Sequence, residues 1–141
     1  DSTDFVIGSR LLGEREPGSM APQQILAGWL AGRLLRATYG VTFTDMSPFR
    51  AMRVERLRAL GMQEQTYGWN LEMQMRVAAA RWRVLEVPVN HRCRQGGVSK
   101  VSGNLVAGMK AAWKIVSTFL RLALSLRHEP VRQFRLHGNK A

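Results

Sequence analysis

The stretch DFVIGSR, residues 4–10, decides the fold. Its apolar run from Phe5 to Ile7 is closed by Gly8, a pattern typical of a short buried strand. A second stretch, RVLEVPV at residues 83–89, is rich in β-branched residues and predicts another strand. Pro88 indicates either an edge strand or the end of the strand, because proline cannot donate a hydrogen bond to a neighbouring strand. Two clear strands are few for a sheet, so we expect further strands from outside this chain.

Helical patterns separate and follow these strands. We expect helices from an N-cap at Ser19 to Tyr39, from 54 to 60, from about Asn70 to 82, and from 104 to 127, with weaker strands near Val41 and Phe49. The mixture predicts an α/β class with an incomplete sheet and a long amphipathic C-terminal helix. The expected division is residues 1–103 as the main unit, 104–128 as the amphipathic helix and 129–141 as a flexible tail.

The composition fits one folded domain of 141 residues with 45% apolar side chains. A single cysteine excludes an internal disulfide and a cysteine-rich zinc site. The first residues are polar and acidic, so a signal peptide is not expected in this sequence. No apolar run in it reaches the roughly 20 residues that a membrane span needs.

The excess of positive over negative charge is confined to the second half of the chain. Residues 1–75 hold eight Lys/Arg and eight Asp/Glu, whereas residues 76–141 hold thirteen Lys/Arg against two Glu, which is the whole net charge of +11. Such asymmetry predicts an anionic partner, such as a phosphorylated substrate, a lipid surface or nucleic acid. A solvated basic face that only keeps the protein soluble is the alternative.

The basic loop HRCRQGGVSK, residues 91–100, follows the second strand. An arginine guanidinium can donate two hydrogen bonds to one phosphate group. Two consecutive glycines let backbone N–H groups approach an anion closely. Arg94, Ser99 and Lys100 are therefore candidate phosphate-binding residues, as is Arg10 at the carboxyl end of the first strand. A basic loop without a ligand is the alternative.

Two carboxylates are candidate catalytic groups. Asp45, in TDMSPFRAMR at residues 44–53, would act as a base or orient a hydroxyl, although an aspartate in a turn often caps its own backbone. Glu72 is the other candidate, but an acidic residue in the first turn of a helix also stabilises the helix dipole.

The last helix admits three interpretations. Its apolar residues cover most of the circumference, while Lys110, Lys114 and Arg121 belong to a narrow polar stripe. Such a helix packs into a core, holds a partner, or lies in a membrane interface with its cations on anionic lipid.

Four separated motifs give the chain a family resemblance. DFVIGSR, TDMSPFRAMR, TYGWNLEMQMR and LEVPVNHRCRQGGVSKVSG occur in an order that resembles family 2 glycosyltransferases, in particular dolichol-phosphate mannose synthase and polyprenyl-phosphate sugar transferases. The resemblance implies the C-terminal, acceptor-side part of a Rossmann-like GT-A fold. It also explains the shortage of strands.

The resemblance assigns roles to individual residues. Arg10 resembles the phosphate-contacting arginine after the strand, and Arg33 or Arg36 resembles a second one on the following helix. Arg94, Ser99 and Lys100 look like the element near the acceptor phosphate. Asp45 resembles the aspartate of an Asp-x-x-Ser-Gly-Phe-Arg segment, with Pro48 in place of the glycine. The family's Gln-x-Glu is reversed here as Glu72-Met-Gln74.

The implied reaction is inverting transfer of a sugar from a nucleotide-sugar to an acceptor, of which a polyprenyl phosphate is one. The complete enzyme would use Mg²⁺ or Mn²⁺ on an Asp-x-Asp motif that these 141 residues lack, so no metal ligand is expected here. Expected partners are the substrates, a membrane surface and either a donor-side half or a second copy. The expected location is cytoplasmic and peripheral, at the inner face of the membrane.

Two non-enzymatic functions remain as alternatives: a basic membrane-surface module and a nucleic-acid-binding module. The latter would interleave aromatic residues with Lys and Arg. Most aromatic residues here fall at core spacing in helices instead, so nucleic acid is not expected.

Overall fold

The computed structural model describes residues 3–65, 68–96 and 105–128. Within these residues there are three strands, β1 (Phe5–Ser9), β2 (Arg50–Met52) and β3 (Val84–Pro88). The same residues form four helices, α1 (Pro22–Tyr39), α2 (Val54–Leu60), α3 (Trp69–Ala79) and α4 (Leu105–His128). The α/β class is confirmed, and the small mixed sheet is compatible with part of a Rossmann-like domain.

The sheet has the order β2-β1-β3, with β1 in the centre. β1 pairs with β2 antiparallel and with β3 parallel, and Ser9 is opposite Pro88 in the parallel pair. β3 lies at an edge of the sheet that the described residues form, and Pro88 is the last residue of β3, so the structure agrees with both interpretations of this proline. Because β1 and β3 are parallel, the segments that follow them both leave the sheet at the carboxyl ends of these strands, which we call the carboxyl edge.

The core lies between the sheet and the three longer helices. Phe5 and Ile7 of β1 are fully buried and share one cluster with Leu35 of α1, Met75 of α3 and Leu122 of α4. Removing this surface from water is the main favourable contribution to folding. Among the described helices, none is long and apolar enough to cross a membrane.

Helix α1 begins at Pro22 rather than directly after Ser19, so the expected N-cap is wrong. Ala21 occupies the N-cap position, and its backbone N–H is bound by the side-chain oxygen of Gln24 at 3.1 Å. Proline at the first helical position is favoured because its missing N–H would have no partner there. The segment near Val41 forms no strand.

Gly32 lets α1 approach the chain that follows it. A Cβ atom at Gly32 would lie 2.2 Å from the carbonyl oxygen of Phe43, whereas one at Gly28 would meet only ordinary contacts at 3.8 Å or more near Met46 and Asp45. Of these two glycines, Gly32 is therefore the one that close packing on the neighbouring segment requires. This packing holds residues 43–46 next to the carboxyl end of β1.

Candidate functional site

The candidate site lies at the carboxyl edge of the parallel strands β1 and β3. The backbone N–H of Val89 donates to the carbonyl of Ser9 at 3.1 Å, so the pairing continues to the end of both strands. The hydroxyl of Ser9 is 2.7 Å from that of Thr44. Arg10 and residues 89–96 therefore start from adjacent points, on the side of an α/β sheet where ligands usually bind.

The segments beyond the strands also run together. The N–H of His91 donates to the carbonyl of Glu14 at 2.9 Å, and the N–H of Glu16 donates to the carbonyl of His91 at 3.0 Å. The Glu16 carboxylate accepts the N–H of Cys93 at 2.7 Å. These contacts fix the backbone of the basic loop as far as Cys93, whose neighbours Arg92 and Arg94 are exposed.

Glu16 also affects the thiol of Cys93. Desolvation, a hydrogen bond and the charge of Glu16 all disfavour the thiolate and raise the pKa of Cys93. The cysteine is therefore a poor nucleophile at neutral pH.

Arg10 and Asp45 form a bidentate ion pair. Nε and Nη2 of Arg10 each lie 2.8 Å from a different carboxylate oxygen, and the backbone N–H of Arg10 adds a third bond at 3.0 Å. The Asp45 side chain is 3% exposed and that of Arg10 is 18% exposed. While this pair is closed, Arg10 cannot offer the same two nitrogens to a phosphate.

The ion pair determines the charge state of Asp45. Burial by itself would raise the pKa of this carboxyl, but the hydrogen bonds and charge of Arg10 outweigh it, and the pKa lies below its ordinary value. Asp45 is therefore ionised at neutral pH. A buried, fully engaged carboxylate of lowered pKa suits a positioning role better than proton abstraction.

Three more side chains hold the segment around Asp45. The Gln74 amide donates to the Asp45 carbonyl at 2.8 Å, and Glu86 of β3 accepts the N–H of Thr44 at 2.9 Å. Nε of Arg50 donates to the carbonyl of Ser47 at 2.8 Å. We call Arg10, Thr44, Asp45, Arg50 and Gln74 the Asp45 cluster.

Arg50 belongs to this cluster although no role was predicted for it from the sequence. Burial lowers the pKa of its guanidinium to about 10, against the opposing effect of the Asp45 charge. Nη1 donates to the carbonyl of Asn70 at 2.9 Å, while the buried Nη2 has no partner among the described residues. The available sequence signal was its position five residues after the candidate aspartate, at the end of Ser-Pro-Phe-Arg.

Glu72 lies outside the Asp45 cluster. It is fully buried, accepts the N–H groups of Gln63 and Glu64, and is 2.8 Å from Nε of Arg76. Since residues two apart on a helix do not share a face, Gln74 faces Asp45 while Glu72 faces the chain after α2. Its contacts are those of a structural residue, and its catalytic role stays a prediction.

Arg33 is also not joined to the site by any described contact. It is exposed on α1, with its guanidinium 5.3 Å from the ring centroid of Trp29. Arg36 is exposed on the same helix. Ser99 and Lys100 lie outside the described residues, so their roles stay predictions.

The metal implied by the family resemblance does not fit the described residues. No three His, Cys, Asp or Glu side chains converge there on a point where they could hold an ion. Both oxygens of Asp45 and of Glu72 are occupied by N–H donors.

Comparison with known proteins gives relatives of one kind. The chain is 41% identical over 86 residues to an uncharacterized glycosyltransferase of Mycobacterium tuberculosis and, equally, to one of Mycobacterium bovis, covering 59% of this chain and 39% of each relative. It is 29% identical over 126 residues to an undecaprenyl-phosphate mannosyltransferase of Micrococcus luteus, covering 80% of this chain and 52% of the relative.

The chain is related to glycosyltransferases. It spans about half the length, or less, of the relatives it matches. No family model matches it, and no solved structure matches it significantly.

Proposed function

We propose that this chain is the acceptor-side part of a family 2 glycosyltransferase with a GT-A-like fold. The enzyme would move a sugar from a nucleotide-sugar to a polyprenyl phosphate at the cytoplasmic face of a membrane. The observation that supports this most is the parallel pairing of β1 and β3, which brings Arg10 and the basic loop to one edge. The similarity to a mannosyltransferase named for undecaprenyl phosphate supports the acceptor class.

The chemistry of a phosphate acceptor suits these residues. A lipid phosphate is ionised at neutral pH, so its oxygen attacks the sugar without a general base. The main obstacle is repulsion between the acceptor and the nucleotide diphosphate, and fixed cations lower it. In this proposal the exposed Arg94, with Ser99 and Lys100, binds the acceptor phosphate.

The Asp45 cluster has a positioning role in this proposal. Asp45 holds the guanidinium of Arg10 at the carboxyl end of β1, while Gln74 and Arg50 hold the backbone of the Asp45 segment. A cluster that is already in place requires no reorganisation of these groups at the moment of reaction. The divalent metal would be bound by a donor-side segment, since the described residues of this chain do not suit it.

The test is sugar transfer by this chain combined with a donor-side segment, in one polypeptide or as two. Radiolabelled nucleotide-sugars and a polyprenyl phosphate are supplied, and the label in the lipid extract is counted. We expect metal-dependent labelling of the lipid that Arg94→Gln reduces strongly. Transfer to water-soluble acceptors alone would contradict the acceptor class, and no transfer from any donor would contradict the enzyme itself.

A further inference from the structure

Helix α4 has two apolar faces, of which only one is covered. The inner face packs into the core with Phe119, Leu122 and Leu126, which are at most 9% exposed. The outer face also carries large apolar side chains, all between 52% and 73% exposed: Val106, Met109, Trp113, Leu120 and Leu124. We call these five residues the outer stripe.

The outer stripe runs along one side of the helix. At about 100° per residue, its five positions fall within a narrow sector opposite the inner face. They extend from the first turn of α4 to its sixth. Scattered exposed apolar residues are normal on a protein surface, whereas five large ones aligned along one side of a helix indicate an interaction surface.

The cations of α4 whose side chains the structure describes lie on one flank of the outer stripe. Lys110 and Lys114 are exposed and follow stripe residues by one position, which places both on the same flank. Arg121 lies on that flank too and pairs with Glu64. The sequence of α4 contains no acidic residue. The outer stripe with its cationic flank is therefore complementary to a partner that has an apolar interior and an anionic surface.

The helix is held in place before any partner binds. Arg121 reaches Glu64 in the segment between α2 and α3, and a Cβ atom at Gly68 would lie 3.1 Å from the methyl group of Thr118. The inner face is also part of the core. A partner therefore meets a preformed surface and does not have to order the helix.

We propose that the outer stripe is a docking surface for a membrane that contains anionic lipids. Lys110 and Lys114 meet the lipid headgroups, and Trp113 enters the interfacial region, where tryptophan is favoured. The value of such a surface to the protein rests on the proposed function, because a polyprenyl-phosphate acceptor is itself in the membrane. The docking itself does not depend on catalysis.

Charge favours a membrane over a second copy of this chain. Two copies meeting through the outer stripe would bring their lysine flanks close together, in a protein with a net charge of +11. An anionic lipid surface attracts the same lysines, at about 1 kcal/mol each, or about fivefold in affinity.

The experiment measures binding of the 141-residue chain to vesicles of phosphatidylglycerol and phosphatidylcholine, and of phosphatidylcholine alone, without nucleotide-sugar or polyprenyl phosphate. We expect flotation with the anionic vesicles and much less with the neutral ones. Lys110→Gln with Lys114→Gln should weaken binding about thirtyfold, and Trp113→Ala about tenfold.

The matched controls remove two positive charges, or one exposed tryptophan, at sites outside α4. Arg58→Gln with Arg81→Gln makes the same charge change at exposed sites outside α4, and Trp29→Ala removes another exposed tryptophan. These variants should bind like the parent chain, and circular dichroism checks that all remain folded. Equal binding by parent and α4 variants would overturn the proposal, as would a dimer in sedimentation velocity that Trp113→Ala dissociates. Neither result bears on sugar transfer, which is measured separately.

Discussion

Arg10 and Asp45 are joined by two parallel hydrogen bonds of 2.8 Å, and the backbone N–H of Arg10 donates to the same carboxylate. The pair connects the end of the central strand to the segment before β2. Because the carboxylate is buried, removing either partner leaves an uncompensated group.

The first prediction is strong coupling between these two residues. Asp45→Asn should destabilise the fold by about 3 kcal/mol, because it leaves the guanidinium without its counter-charge. Arg10→Gln should cost about as much, and the double variant much less than the sum. Urea denaturation of the four proteins measures the coupling, and strictly additive losses would show that the ion pair does not contribute.

The second prediction concerns acid. The pKa of Asp45 is lowered in the folded state, so the folded protein binds fewer protons than the unfolded one in the acidic range. Its contribution is complete above the ordinary aspartate pKa and is lost as the pH falls through the lowered value. Asp45→Asn should flatten this part of the stability–pH curve, and an unchanged slope would contradict the assignment.

The third prediction compares two glycines four residues apart on α1. Each replacement by alanine gains helix propensity of about 1 kcal/mol. Gly28→Ala has room and should be neutral or stabilising. Gly32→Ala would place a Cβ atom 2.2 Å from a backbone oxygen of Phe43 and should destabilise by about 1–3 kcal/mol net. Thermal melting of both variants checks this, and equal melting temperatures would be inconsistent with the close approach.

The fourth prediction separates structure from catalysis at Glu72. Glu72→Gln weakens a buried pair with Arg76 and replaces an acceptor of two backbone N–H groups, so the fold should lose about 3 kcal/mol. If Glu72 is only structural, the transfer rate per folded molecule in the combined enzyme should stay close to that of the parent. A large fall in that rate, with folding intact, would restore the catalytic assignment.

Local patterns predicted most of the elements but not their contacts. The apolar run at Phe5–Ile7, the β-branched run at 83–89 and the helical spacing of α4 each specify an element within a few residues, because burial imposes a period on the chain. The prediction of Ser19 as the N-cap was wrong. The helix begins two residues later, where the side chain of Gln24 accepts the backbone N–H of Ala21, and the sequence alone does not decide between the two starting points.

The candidate site was predicted only in part for the same physical reason. Arg10 and Asp45 were identified separately, but their ion pair depends on residues 35 positions apart meeting in the fold. Arg50 and Gln74 received no role because their importance comes from burial around Asp45 rather than from any local pattern. Glu72 was predicted to be catalytic because of its position in the motif, whereas its side chain lies on a different face of α3 from the one that contacts Asp45.

The most direct test of the central claim is binding of a short polyprenyl phosphate at the carboxyl edge of β1 and β3. Titration calorimetry of the chain with farnesyl phosphate should show binding that Arg94→Gln weakens strongly. Arg81→Gln, the same change just before β3 at the opposite edge, should have little effect. Equal weakening by both variants, or binding that neither alters, would contradict a phosphate site at this edge.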